Sequence, residues 1–127
     1  MFEIRVECDF AAAHFLKNYK GKCENLHGHN YLVMVSVQGA KLDQGGMLLD
    51  FSELKKALRQ VCGKIDHTNL NDLPFFQDNP SAERIALYIY KELLELLPQL
   101  SRGEDSPKIK AVDVFETATS RARYIPD

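Results

Sequence analysis

Residues 2–10 alternate without a break: Phe2, Ile4, Val6, Cys8 and Phe10 are apolar, and Glu3, Arg5, Glu7 and Asp9 are charged. That period of two predicts a strand with one buried face. Residues 31–38, YLVMVSVQ, are apolar and β-branched almost throughout and predict a second, more deeply buried strand. The polar, glycine-bearing stretch KNYKGKCENLHGHN between them reads as a long loop. Asp43 to Gly46 is a turn cluster, and Ser52 is the predicted N-cap of a helix. That helix puts Leu54, Leu58, Val61, Cys62 and Ile65 on one face, with Gly63 weakening or ending it. Residues 66–80 read as loop. A second helix follows, with Pro80 in its first turn, Asn79 or Ser81 as cap, and a stripe of Ile85, Ala86, Ile89, Leu93, Leu96 and Leu97 closed by Pro98. After a polar loop, SRGEDSPK at 101–108, a third strand is predicted over Ile109 to Glu116 and a fourth over Ser120 to Ile125. Thr117 to Thr119 connect them.

The predicted order is β-β-α-α-β-β, an α+β fold with a four-stranded antiparallel sheet and both helices on one face. Such a sheet leaves its edges to be covered, either by staying short or by association with sister chains. At 127 residues the chain falls in the range of a single domain, 1–127. Sixteen basic against eighteen acidic residues, with no block of one sign, lack the basic face of a nucleic-acid binder. No apolar run is long enough to span a membrane. The first ten residues lack the pattern of a signal peptide. Three widely spaced cysteines argue against a disulfide framework and for a reducing, cytoplasmic setting.

The sharpest chemical feature is His27-Gly28-His29. In an extended segment residues two apart point the same way, so both imidazoles could meet one metal ion; otherwise they are solvated loop residues beside a turn glycine. His14 follows the first strand directly. If the first two strands pair, all three histidines lie at one end of the hairpin. Three histidines with an open fourth position is the pattern of a catalytic zinc. Cys23, four residues before His27, reads as a fourth ligand, as a nucleophile or base favoured by a nearby cation, or as an ordinary loop cysteine. Cys8 and Cys62 fall on apolar faces and read as core. Asp66-His67 reads as a carboxylate that orients an imidazole for acid–base work, or as a solvated turn pair. Glu116 shares the parity of Val112 and Val114. It could accept two parallel N–H bonds from a flat heterocycle with a guanidine-like edge, or be solvated where the strand ends. Glu83 sits in the first turn of a helix, where the helix dipole favours an acid.

Six stretches carry a resemblance: FAAAHFL (10–16), CENLHGHNY (23–31), GMLLDFSELK (46–55), DHTNLND (66–72), NPSAERIA (79–86) and FETATSRARY (115–124). In this order they resemble the 6-pyruvoyl-tetrahydropterin synthase superfamily, and within it the 6-carboxytetrahydropterin synthases of queuosine and deazapurine biosynthesis. The compact C-x-x-x-H-G-H spacing is similar to that subgroup. Tetrahydrobiopterin-pathway enzymes have a longer gap, and another bacterial subgroup carries Glu in place of the thiol. Ala11 and Ser81 depart from the Ser and Thr usual at those positions.

The resemblance implies the T-fold. It also implies zinc on His14, His27 and His29, Cys23 as the catalytic base, and Asp66 and His67 as its acid–base partners. Glu116 would anchor the pterin ring, and Ser81 and Glu83 would line the pocket from a neighbouring subunit. The implied reaction takes 7,8-dihydroneopterin triphosphate to 6-carboxy-5,6,7,8-tetrahydropterin, acetaldehyde and triphosphate. The implied assembly is a homohexamer of two stacked trimers whose sheets join into a barrel, with active sites at subunit interfaces. Lys17, Lys20, Lys22, Arg121 and Arg123 are candidates to hold the triphosphate. Two other readings keep the residues and change the role: a 6-pyruvoyl-tetrahydropterin synthase, and a non-enzymatic zinc-stabilised module with Cys23 as fourth ligand.

Overall fold

The computed structural model describes residues 1–17, 21 and 25–127. Strands β1 (Phe2–His14) and β2 (His27–Gly39) pair antiparallel along their whole length, from Phe2 opposite Gly39 to His14 opposite His27. Both run further than the alternation alone predicts. The His-Gly-His-Asn stretch, expected in a loop, belongs to β2 because the ladder with β1 continues through it. Helix α1 (Phe51–Ile65) follows, and its N-cap is Asp50 rather than Ser52. The Asp50 carboxylate accepts from both the amide and the hydroxyl of Ser52, 2.8 Å each, and satisfies a donor the helix start leaves open. Gly63 does not end the helix.

The stretch read as loop carries structure. Residues Thr68–Asn69 form β3, parallel to Ala12–Ala13 of β1, and two single 3₁₀ turns follow. Helix α2 (Ala82–Leu96) starts one residue after its cap, Ser81, whose hydroxyl accepts from the Arg84 amide at 3.2 Å. Pro80 therefore precedes the cap and is not in the first turn. Pro98 ends α2 by opening a 3₁₀ turn. Strands β4 (Lys108–Thr117) and β5 (Ser120–Tyr124) complete a five-stranded sheet in the order β3-β1-β2-β4-β5. The predicted four-stranded antiparallel sheet is its body, and the short parallel β3 makes it mixed.

One face of the sheet carries the core. Val6 and Phe10 of β1, Tyr31, Val33, Val35 and Val37 of β2, and Val112 and Val114 of β4 meet Leu54, Leu58, Val61 and Ile65 of α1 and Ile85, Ile89 and Leu93 of α2. Cys62 is buried there, and Cys8 packs against it. Burial raises the Cys62 thiol well above its ordinary range, with the neighbouring Cys8 adding to the shift, as expected of an inert core thiol. The opposite face is polar, with one buried acid. Asp113 is 3% exposed and takes a two-pronged bond from Arg123 across the β4–β5 ladder, Nε to Oδ1 2.7 Å and a terminal nitrogen to Oδ2 3.2 Å. Arg121 approaches the same carboxylate at 3.6 Å. No helix among the described residues is long and apolar enough to cross a membrane.

Removing Arg123 leaves a desolvated carboxylate with a single distant cation. Arg123→Ala should lower stability by about 1–3 kcal/mol, and Arg121→Ala by less than about 1 kcal/mol. Chemical denaturation of the two variants checks this; equal losses would contradict the bidentate pair as the holder of Asp113.

Candidate active site

The end of the β1–β2 ladder builds the site. His14 closes β1 directly opposite His27, and His29 stands opposite Ala12. All three side chains share the helix-facing side of the sheet, because parity is preserved along an unbroken antiparallel pair. Their ring centroids lie 4.5, 4.8 and 5.1 Å apart. One ligating nitrogen from each falls within 4.8 Å of the others. The backbone selects which nitrogens. His14 Nδ1 contacts the Pro80 carbonyl at 2.8 Å, and His27 Nδ1 the Asn25 carbonyl at 2.7 Å. A carbonyl only accepts, so both rings carry their proton on Nδ1 and keep Nε2 as a lone pair. A carbonyl behind each ring is how metal-binding histidines are ordinarily oriented.

Glu116, near the end of β4, faces the same cluster. Its carboxylate oxygens lie 3.3 Å from His29 Nε2 and 3.9 Å from His14 Nε2. Among the described residues, His14 Nε2, His29 Nε2 and the Tyr31 hydroxyl are buried side-chain polar atoms with no hydrogen-bond partner. Two orphaned imidazole nitrogens beside a carboxylate fit a cation between them, and nitrogen donors in this number suit a transition metal. Burial, opposed by the Pro80 carbonyl and the Glu116 charge, holds His14 below the ordinary histidine range. His29 is lowered by burial as well. Both are therefore neutral at pH 7, the form a metal requires.

Asp66 and His67 form the second element. Asp66 caps α1, and its Oδ1 accepts from the Ala11 amide at 2.9 Å while Oδ2 meets His67 Nδ1 at 2.9 Å. The Ala11 amide first, and then His67, hold this carboxyl below its usual range. His67 adopts a left-handed backbone, φ 58°, rare for a residue with a side chain and retained at sites where the fold over-determines it. Its own amide donates to the Ala11 carbonyl at 2.6 Å. The ring is 81% exposed, with Nε2 directed away from its carboxylate. The pair flanks β3, whereas Glu116 is on β4, three strand spacings away. At about 4.8 Å per spacing that is roughly 14 Å. The cavities divide likewise. A cleft of about 520 Å³ is lined by His67, Thr68 and His29, and a groove of about 310 Å³ by Glu83, Glu116 and Arg121.

The structure thus brings His14, His27, His29 and Glu116 together and places Glu83 beside Glu116. It sets Asp66-His67 on the far side of the histidines. Ser81 makes its contact as the cap of α2. Lys17 pairs with Asp78 at 3.4 Å, and Arg121 and Arg123 lie against Asp113. Cys23, Lys20 and Lys22 lie outside the described residues. One residue went unnoticed in the sequence: Tyr31, fully buried, stacked on Phe10 and edge-on to His14 and His29. Its signal was available, because it shares parity with His27 and His29 once β2 is extended to His27.

The site is a three-histidine cluster that could hold a metal ion, set at a hairpin end on an α+β sheet backed by two helices. The sequence model of the 6-pyruvoyl tetrahydropterin synthase family matches residues 3–127, and the chain belongs to that family. It is 40% identical to the 6-carboxy-5,6,7,8-tetrahydropterin synthase of Bacillus subtilis (strain 168), over 98% of this chain and 86% of that protein. It is 38% identical to the protein of the same name from Synechocystis sp. (strain ATCC 27184 / PCC 6803 / Kazusa), over 98% and 93%. The structure of Caenorhabditis elegans 6-pyruvoyl tetrahydropterin synthase superposes with a TM-score of 0.82 at 28% identity, covering 99% of this chain and 96% of that one. The β-β-α-α-β-β T-fold is thereby confirmed.

Metal-free protein should respond to acid in two stages. The unfolded chain takes up protons on His14 and His29 near 6.5, where the folded chain does not. Stability is therefore full above pH 6.5 and declines as pH falls toward the depressed folded values. Glu116, facing both rings, weakens the effect, and His27 reinforces it. Asp66 adds a second decline starting near its ordinary 3.8. The urea midpoint of chelator-treated protein should fall between pH 7 and 5. A flat profile over that range would contradict a buried, neutral histidine pair.

Proposed function

We propose that this chain, acting as one T-fold domain over 1–127, is a zinc-dependent carbon–carbon lyase. Its substrates are 7,8-dihydroneopterin triphosphate and one water, and its products are 6-carboxy-5,6,7,8-tetrahydropterin, acetaldehyde and triphosphate, within queuosine or deazapurine biosynthesis. The observation that carries the reading is the convergence of three histidines and a single carboxylate on one face, in a chain 40% identical to a protein bearing the synthase name. His14, His27 and His29 would hold the zinc. The bound ion supplies Lewis acidity toward an oxygen on the substrate side chain.

The chain's own groups do the rest. The Glu116 carboxylate accepts two N–H bonds from the 2-amino and N3 edge of the pterin, a charge-assisted pair that fixes the plane of the ring. The Cys23 thiolate takes a proton from the side-chain carbon next to the ring. His67, its Nδ1 held by Asp66, gives or takes protons at Nε2. Glu83 and Ser81 line the pocket from a neighbouring subunit, and the cations that receive the triphosphate come from Lys17, Lys20, Lys22, Arg121 and Arg123. A separation of roughly 14 Å between His67 and Glu116 is longer than one bicyclic ring and its first side-chain carbon. It supports a site completed by His67 of a second copy, as in a barrel-forming homohexamer. The absence of a membrane-length helix among the described residues is consistent with a cytoplasmic enzyme.

Purified protein should bind about one zinc per chain and release acetaldehyde from dihydroneopterin triphosphate. Zinc-replete protein that leaves this substrate intact would sink the lyase reading. Cys23→Ala should retain zinc and lose turnover; loss of zinc would instead make Cys23 a fourth ligand, as in a structural zinc module. The likeness to the C. elegans pyruvoyl synthase favours a second reading, formation of 6-pyruvoyl-tetrahydropterin, and the mass of the product separates the two.

If the site is shared between copies, mixing two inactive proteins should restore activity. Glu116→Gln and His67→Asn chains, unfolded and refolded together, should recover on the order of a quarter of wild-type turnover for randomly mixed neighbours. Mixtures as inactive as either parent would place both groups in one chain's site.

A further inference from the structure

The last residues of β1, from Ala11 on, are bonded at their outer edge to the segment that follows α1. Ala11 gives its amide to Asp66 and receives the His67 amide. Ala12 and Ala13 pair with Thr68 and Asn69 of β3. There the partner strand ends, because residues 70–72 turn into a 3₁₀ helix. The bonding does not end with it. The Phe15 amide donates to Asn71 Oδ1 at 2.9 Å, and the Phe15 carbonyl accepts from Asn71 Nδ2 at 3.0 Å. Two residues on, the Lys17 amide donates to Asn79 Oδ1 at 2.9 Å, and its carbonyl accepts from Asn79 Nδ2 at 3.3 Å.

A carboxamide presents one carbonyl and one N–H group side by side, as a peptide unit does. Alternate residues of an extended chain offer both their groups to the same edge. Asn71 and Asn79 therefore continue the ladder with side chains where no strand can follow. Asn71 is buried and uses its second amide hydrogen on the Asp78 carbonyl at 3.0 Å. Between the two asparagines the chain passes through Gln77 and Asp78, both left-handed at φ 51° and 63° and neither a glycine. Arg84 holds that turn from α2 by donating to the Phe76 carbonyl at 2.6 Å. The next residue after Asn79 is Pro80, whose carbonyl receives His14 Nδ1.

We propose that Asn71 and Asn79 are positioning residues for His14: by standing in for a neighbouring strand beyond it, they hold the Pro80 carbonyl on Nδ1 and keep Nε2 as the ligating lone pair. The inference deepens the metal reading, on which its effect on zinc rests. A purely local role, closing the 70–80 turn, would leave the ring unaffected.

Two measurements on Asn79→Ala separate these roles. Zinc affinity, by competition with a chromophoric chelator, should fall by about 10–100-fold, the loss usual when an orienting group behind a metal histidine is disturbed. Leu100→Ala, in the turn after α2, serves as a comparably destabilised reference and should keep wild-type affinity. In metal-free protein, nitrogen NMR should show His14 protonated at Nδ1 in the wild type and as a mixture of tautomers in Asn79→Ala. Unchanged affinity and an unchanged tautomer overturn the proposal and leave the lyase reading intact. Wild-type protein that binds no zinc sinks the metal reading, and the tautomer still decides the proposal. Should Asn79→Ala fail to fold, Asn79→Ser is read in the same two ways.

Discussion

The pairing of β1 with β2 is the constraint from which the rest follows. It runs in one register for thirteen residues on each strand, with no bulge between Phe2 and His14. A slip of one residue would turn every side chain of one strand to the other face. Here that would bury Glu7 and Asp9 and expel Val6 and Phe10, so the hydrophobic core fixes the register. The same register decides the chemistry. His14 meets His27 across the ladder, and His29 falls beside them, only because Val6 meets Val35 and Phe10 meets Tyr31 further down. Packing energy from the core is thus spent at the hairpin's end on holding three imidazoles within a few ångströms.

That arrangement is electrostatically unfinished. His14 and His27, with Nδ1 turned to a carbonyl, keep Nε2 as a lone pair, and the Nε2 atoms of His14 and His29 lie beside the Glu116 carboxylate. Nothing donates to them among the described residues. Unpaired buried polar atoms are rare in folded proteins, and three in one place is a concentration. A cation relieves all of them except the Tyr31 hydroxyl. Burial depresses the His14 and His29 protonation that would otherwise fill the gap with protons.

Much of this was legible in the sequence. Alternation at 2–10 and the apolar run at 31–38 gave the central strands, and the stripes at three- and four-residue steps gave both helices. Parity alone put Glu116 on the face of Val112 and Val114, the face that carries the histidines. What escaped was governed by partners distant in the chain. The extension of β2 back to His27 shows no hydrophobic pattern, since Gly28 and Asn30 lie on the exposed face. β3 is two residues long and exists because β1 offers it an edge. Asp50 outcompeted Ser52 as cap because its carboxylate reaches two donors, a matter of geometry that both residues' propensities leave open. Asn71 falls in a stretch read only as loop and Asn79 was a candidate helix cap, and their hold on Phe15 and Lys17 spans more than fifty positions of sequence. Cys23 was singled out by its spacing to His27 and by the resemblance, and it lies outside the described residues.

The open edges of the sheet and the divided site are two aspects of one geometry. β3 covers only Ala12 and Ala13 of β1, so most of that strand's outer edge has no strand partner among the described residues. β5 forms the other edge. Exposed edges are a liability unless something pairs with them. Asp66-His67 stands at the β1 edge, and Glu116 belongs to the strand next to the β5 edge. Joining the β1 edge of one copy to the β5 edge of the next would bring His67 of one toward Glu116 of the other while covering both edges. The same contact that removes an aggregation hazard would then complete the chemistry. On that arrangement the left-handed His67 and the Asp66–Ala11 bond present an imidazole outward, at a fixed angle, three strand spacings from the strand of the chain's own Glu116.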